Sequence, residues 1–213
     1  MKISIITCNS PRHLYLLKEL STVADEIYVV QECKTIFPGS ISDFYRKSEV
    51  MEKYFSFVNS AEKKVFGEVG FLPSNIRQLC IKNGDINYLN MDMLPDFWES
   101  DLYIVFGSSY IKGVLADELI KRHAINIHMG VSPFYRGTSC NFWALFDGNP
   151  ELVGATIHYL SKGLDSGDIL YHALPKAKKV DPFILGMEAV RIAQESLKDK
   201  IVDGSIFNIT PQK

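Results

Sequence analysis

Residues 2–31 read KISIITCNSPRHLYLLKELSTVADEIYVVQ. The first seven, Lys2 to Cys8, form a short isoleucine-rich run, the pattern of a parallel strand covered on both faces. Asn9-Ser10-Pro11 then supplies a helix N-cap followed by proline at an early helical position. Leu14, Leu16, Leu17 and Leu20 make the apolar stripe of a helix that ends before Asp25. Glu26–Gln31 is a second strand. Strand, helix and strand at this short spacing predict a doubly wound α/β domain, Rossmann-like, with a mostly parallel sheet and helices on both faces.

Further along the chain the pattern continues. Leu102–Phe106 (LYIVF) reads as a central strand ending at Gly107, followed by a helix over about 112–121 and a strand at Ala124–His128 (AINIH). Trp143–Phe146 belongs to a helix stopped by Asp147-Gly148. Gly154–Leu160 and Asp168–Ala173 alternate as strands should, and Pro182 to about Lys200 is a long helix. The least regular part lies at about 35–75. It has a loop at Phe37-Pro38-Gly39-Ser40, then helical spacing in Phe44, Val50, Met51, Tyr54 and Phe55, and it predicts an insert of one or two surface-packed helices. Ile76–Lys82 reads as a short helix closed by Asn83-Gly84, with a weak strand near Asp85–Leu89. The expectation is a single domain over 1–213, with the C-terminal helix and tail at about 181–213.

Composition narrows the function classes. The chain has 213 residues, 46% hydrophobic and 23% charged, with a formal net charge of -2. Such a balance suits a soluble globular domain and gives no basic face for nucleic acid. Lys176, Lys178 and Lys179 read as a solvated turn. No apolar run approaches the roughly 20 residues that span a bilayer, and the N-terminus lacks the pattern of a signal peptide. Cys8, Cys33, Cys80 and Cys140 are far apart without C-x-x-C spacing, so free, mostly buried thiols are expected and no metal is implied. These features together predict a cytoplasmic protein with no membrane or nucleic-acid partner; a homodimer is possible on this composition.

Three features at strand ends carry chemistry. On a strand, Asn126 and His128 share a face about 7 Å apart, at the carboxyl end where open α/β sheets bind ligands. The stiff loop Gly130-Val131-Ser132-Pro133-Phe134-Tyr135-Arg136-Gly137 follows directly. Gly163-Leu164-Asp165-Ser166-Gly167-Asp168 is an acidic loop bounded by glycines. Each alone reads as ordinary architecture; the three in this order on one sheet are harder to read that way.

INIHMGVSPFYRG, the amide and aromatics of CNFWAL, and GATIHYLSKGLDSGDIL together resemble the folate-dependent formyltransferases, over about residues 102–172. That family includes the glycinamide ribonucleotide, methionyl-tRNA and sugar-nucleotide formyltransferases. The resemblance implies an N-formyltransferase using 10-formyltetrahydrofolate as co-substrate, without a metal. It makes Asn126, His128 and Asp165 the catalytic residues. It also places Ser108, Ser109, Tyr110, Ile111, Gly130, Val131, Ser132, Pro133 and Leu164 against the folate. The chemistry fits: Asn126 can donate to an oxyanion, His128 can donate or move protons, and an Asp165 carboxylate can orient that imidazole and favour its charge. Arg136 suits either a carboxylate or phosphate, or a brace for its own loop. His158 and His172 read as structural residues.

Departures from the family pattern bear on the acceptor. Met129 stands where many relatives carry proline after the histidine. The first loop, Thr7-Cys8-Asn9-Ser10-Pro11-Arg12-His13, has none of the glycines with which purine-pathway members hold a ribonucleotide phosphate. The resemblance gives the tRNA enzymes a sizeable C-terminal RNA-binding domain, whereas only about 40 residues follow the matched region here, so transfer RNA is not the expected acceptor. A small-molecule amine is therefore expected, with an amino sugar on a nucleotide carrier as the favoured class. Glycinamide ribonucleotide, methionyl-tRNA and hydrolysis of the formyl donor are the alternatives. A dehydrogenase reading lacks the G-x-G-x-x-G it would need.

Overall fold

The computed structural model describes residues 1–34, 48–176 and 179–213. The expected loop at 37–40, Phe44 and Lys178 lie outside the described residues.

Among those residues, seven strands form one sheet. The chain runs β1 (Lys2–Cys8), α1 (Pro11–Ser21), β2 (Glu26–Cys33), α2 (Glu49–Phe66) and β3 (Ile76–Lys82). It continues through β4 (Leu102–Phe106), α3 (Gly113–Lys121), β5 (Ile125–His128) and α4 (Cys140–Phe146), then β6 (Ala155–Tyr159), β7 (Ile169–Ala173) and α5 (Pro182–Val202). The spatial order is β3-β2-β1-β4-β5-β6-β7. The pairs from β3 to β5 are parallel, while β5–β6 and β6–β7 are antiparallel. The strand order reverses between β1 and β4, which puts a ligand crevice at their carboxyl ends.

The sequence dictates both faces. Ile3 and Ile5 of β1 point to one side with Leu16, Leu17 and Leu20 of α1 and Val190 and Leu197 of α5. Ile6 points to the other, with Val30, Tyr103, Leu115 and Leu119. Alternation on a strand buried from both sides produces this division. Each leucine of the α1 stripe contributes roughly 1.5–3 kcal/mol by leaving water.

Two expectations are corrected. Ile76–Lys82 is an edge strand paired with β2, not a helix. A seven-residue stretch of mixed polarity, IRQLCIK, fits either period, and the open edge of β2 supplies backbone partners that a surface helix lacks. Gly84 is needed at positive φ (95°), but it turns the chain out of a strand. Asp85–Leu89 holds a 3₁₀ turn at Ile86–Tyr88 rather than a strand, with Ile86 plugged fully into the core. The thiols also need correction: Cys8 and Cys140 are buried and Cys33 half-buried, but Cys80 is exposed on the edge strand. Of the described part of the insert, Glu49–Phe66 is helical, as α2, and residues 67–75 are not. No helix among the described residues is long and apolar enough to cross a membrane.

Candidate active site

β5 ends in Asn126-Ile127-His128, and its side chains meet those of β6 and of the loop before β7. Antiparallel register sets His158 opposite Asn126 and Thr156 opposite His128. Asp165 comes from the loop between β6 and β7 with a left-handed backbone, φ 44°, a conformation that Asp and Asn tolerate better than most residues. Non-glycine residues held there cluster at functional sites.

Asp165 fastens the group together. Its Oδ1 accepts from Asn126 Nδ2 at 3.2 Å, and its Oδ2 lies 3.2 Å from His128 Nδ1 and accepts from Gly137 N at 3.0 Å. His128 Nε2 stands 3.0 Å from the Tyr135 carbonyl oxygen. A carbonyl can only accept, so Nε2 carries a hydrogen; the Nδ1–carboxylate contact also needs a proton between its atoms. Both ring nitrogens thus face acceptors, with the Asp165 carboxylate placed to balance charge that develops on the ring.

His158 is the residue sequence reasoning placed among structural ones. Its Nδ1 donates to the Tyr159 carbonyl oxygen at 2.8 Å, which leaves Nε2 to accept from Asn126 Nδ2 at 3.0 Å. Burial pushes its pKa below the usual imidazole range, and the charges of His128 and Arg136 act in the same direction against Tyr159 and Asp165. A neutral His158 and the Asp165 carboxylate thus take both N–H groups of Asn126. An oxyanion that binds Asn126 must displace one of them. His172 bonds the Ser132 carbonyl oxygen at 2.9 Å, in keeping with the structural role expected of it.

Asn126, His128, His158 and Asp165 line a cleft of about 630 Å³ together with Ser108, Ser109, Tyr110, Ile111 and Leu164. Gly130, Val131, Ser132 and Pro133 are not part of its lining. Gly130, Val131 and Ser132 are buried, because Thr156 Oγ1 donates to the Gly130 carbonyl and accepts from Ser132 N, and Pro133 is exposed. Arg136 is exposed. Gly107, at the cleft wall, has φ 62°, and a Cβ there would stand 2.5 Å from Nε2 of the buried His13. Glycine alone fits.

Glu32, fully buried at the end of β2, braces this wall. Its carboxylate accepts from Gly84 N at 2.8 Å and from Ser109 N at 2.6 Å. Glu32→Gln leaves one of those N–H groups facing an amide NH₂. A loss of about 1–3 kcal/mol in unfolding free energy is expected; an unchanged urea midpoint would remove Glu32 from the wall's support.

Cys140 Sγ is 3.7 Å from His128 Nε2, but burial, then the Asp165 charge, push its pKa up to about 11. It is a thiol, not a poised nucleophile. Among the described residues no group of His, Cys, Asp and Glu is placed to hold a metal.

An open α/β sheet with amide, imidazole and carboxylate gathered at a parallel strand's carboxyl end defines a candidate site for acyl-type transfer through an oxyanion. Residues 98–182 match the family model "Formyl transferase". A methionyl-tRNA formyltransferase of Limosilactobacillus fermentum is 28% identical over 165 residues, covering 73% of this chain and 52% of the relative. One from Halothermothrix orenii is 35% identical over 83 residues, covering 39% of this chain and 25% of its own. The chain thus spans about half or less of these curated relatives.

Solved structures share the fold. The formyltransferase PseJ from Anoxybacillus kamchatkensis, in complex with UDP-4,6-dideoxy-4-formamido-L-AltNAc and tetrahydrofolate, has a TM-score of 0.54 at 18% identity, covering 100% of this chain and 82% of that one. A phosphoribosylglycinamide formyltransferase from Bacillus halodurans has a TM-score of 0.59 at 14% identity, covering 96% and 97%.

Proposed function

We propose that the chain transfers the formyl group of 10-formyltetrahydrofolate to the amine of a small molecule, an amino sugar on a nucleotide carrier being the acceptor class. The observation that carries this reading is the Asp165 carboxylate joined to both Asn126 and His128 on the floor of the cleft. The family match supports the donor, and the sugar-nucleotide complex of a protein sharing the fold supports the acceptor class. The cleft suits a folate ring: Ser108 to Ile111 border it, and the loop's backbone and hydroxyl groups can meet a pterin's donor and acceptor edge.

In the reaction, a new C–N bond forms between the acceptor amine and the formyl carbon. The bond from that carbon to N10 of the folate breaks, and N10 receives the proton that the amine gives up. Asn126 turns one of its N–H groups from His158 or Asp165 to the carbonyl oxygen as negative charge grows there. His128 donates to the same oxygen or passes the proton between the nitrogens. Asp165 holds the imidazole and balances its charge. The protonated Cys140 leaves direct attack, without a covalent enzyme intermediate, as the route.

The test is an incubation of the protein with 10-formyltetrahydrofolate and a nucleotide-linked amino sugar. Equal amounts of tetrahydrofolate and formamide product are expected. Formate released without an amine would favour hydrolysis, and failure to bind tetrahydrofolate would overturn the reading.

A further inference from the structure

Two thiols, Cys33 of β2 and Cys80 of the edge strand β3, face each other where neither lines the cleft. The strands are parallel, with Gln31 beside Cys80 and Cys33 beside Lys82. Alternation therefore turns Gln31, Cys33 and Cys80 to one face. Gln31 holds both thiols: Cys33 Sγ donates to its backbone oxygen and Cys80 Sγ to its Oε1, each at 3.7 Å. Burial, then the neighbouring Cys80, push the Cys33 pKa up to about 11. Cys80 is exposed and Cys33 half-buried, so the pair has one thiol open to solvent and one behind it. The other two cysteines are buried and apart from them, Cys8 Sγ on the Gly107 carbonyl at 2.9 Å and Cys140 beside His128.

The pair is tied to the cleft wall through the end of β2. Glu32, next to Cys33, carries Gly84 N and Ser109 N on its carboxylate. The Cys33 carbonyl accepts from Asn83 N at 3.2 Å, and the Asn83 side chain donates to Ser109 Oγ at 3.3 Å. Along the strands the two cysteines are offset by two residues of register. At about 3.3 Å per residue and about 4.8 Å between strands, their Cα atoms lie about 8 Å apart. A disulfide needs them within about 7 Å, so a bond between these thiols must move backbone. Cys33, the last residue of β2, gives more readily than Cys80 in mid-strand, and Glu32 moves with it.

We propose that Cys33 and Cys80 are a redox-sensitive pair whose reversible disulfide weakens folate binding by drawing Glu32 off the cleft wall. The oxidant is a peroxide, and the exposed Cys80 meets it first. Its Sγ attacks one oxygen and the O–O bond breaks, which leaves a sulfenic acid and, with the thiol proton, a water. Cys33 Sγ then displaces the hydroxyl: the S–S bond forms, the S–O bond breaks, and the Cys33 proton leaves with the hydroxyl as a second water. The two thiols together give up two electrons, and the peroxide takes them. A bond that must pull its own backbone together is strained, and strained disulfides are the readily reduced ones, so a dithiol reverses the step. The effect on the donor rests on the formyl-transfer reading; the cross-link itself does not.

Peptide mapping and tetrahydrofolate titration, before and after hydrogen peroxide, test it. A linked Cys33–Cys80 peptide pair is expected, with tetrahydrofolate bound about tenfold more weakly, as the loss of a hydrogen bond to a carboxylate implies. Dithiothreitol should restore both. Cys80→Ser should bind tetrahydrofolate within about twofold of the parent and keep that affinity through peroxide. Cys33→Ser should stop at the Cys80 sulfenic acid, which dimedone traps. If the pair stays unlinked after peroxide, or Cys80→Ser loses affinity as the parent does, the switch is overturned and formyl transfer stands. A linked pair that binds tetrahydrofolate as the reduced protein does overturns it as well. If the reduced protein binds no tetrahydrofolate, the formyl-transfer reading falls and the effect on the donor falls with it, while the peptide map still decides the disulfide.

Discussion

His128→Ala is expected to lower formyl transfer by about 10²–10⁴-fold while the protein still folds and binds tetrahydrofolate. The ring is the one group at the cleft floor whose two nitrogens both face acceptors, the Tyr135 carbonyl oxygen and the Asp165 carboxylate. It is therefore built to hold and release a proton, which is the task that transfer between two nitrogens sets. Folding should survive because Asp165 keeps its bonds from Asn126 and Gly137, and the loss of one buried ring costs about 1–3 kcal/mol. The deficit should appear in kcat and kcat/KM together, since the proton moves only on the way to the transition state. Single-turnover rates beside a tetrahydrofolate titration separate the two effects. Turnover within tenfold of the parent would remove His128 from proton transfer.

What could be read from the sequence follows from which physical signals are local. Asn126 and His128 stood out because alternation puts them on one face at a strand end, and Asp165 because glycines bound its loop. The sheet up to β5 was legible for the same reason: buried parallel strands are continuous apolar runs. His158 was not legible as part of the site. Its place opposite Asn126 depends on the switch to antiparallel pairing at β6, and periodicity does not report the direction of a strand. Ile76–Lys82 failed as a helix because its partner, β2, lies more than forty residues earlier in the chain. Gly130 to Ser132, expected at the folate, do not line the cleft: they are buried, and bonds to Thr156 on β6 hold them, a partner 24–26 residues further along the chain. The cavity between α2, α4 and α5 is the extreme case. Tyr54, Phe142 and Phe183 come from three helices far apart in sequence, and only packing brings their rings to 5.5–5.6 Å.

Asp165→Asn is expected to cost about 10²–10⁴-fold in turnover, and about 1–3 kcal/mol in stability for the one N–H group left facing an amide NH₂; an aspartate that orients a catalytic imidazole in hydrolases sets the upper end of the turnover scale. Asparagine tolerates the left-handed φ of 44° as aspartate does, so the loop keeps its course. The hydrogen bonding does not. If the new amide oxygen faces Asn126, its NH₂ faces the Gly137 N–H, donor against donor; flipped, it faces the Asn126 NH₂ instead. In either orientation the negative charge opposite His128 is gone, and with it the balance for charge that develops on the ring during transfer. Asp165→Ala makes the contrast. It removes the same charge but places a residue that disfavours positive φ in the loop, at a further cost of about 1–2 kcal/mol. Thermal unfolding should therefore set the alanine variant below the asparagine variant, while both lose turnover. If Asp165→Asn keeps more than a tenth of the parent rate, the carboxylate serves the loop rather than the imidazole.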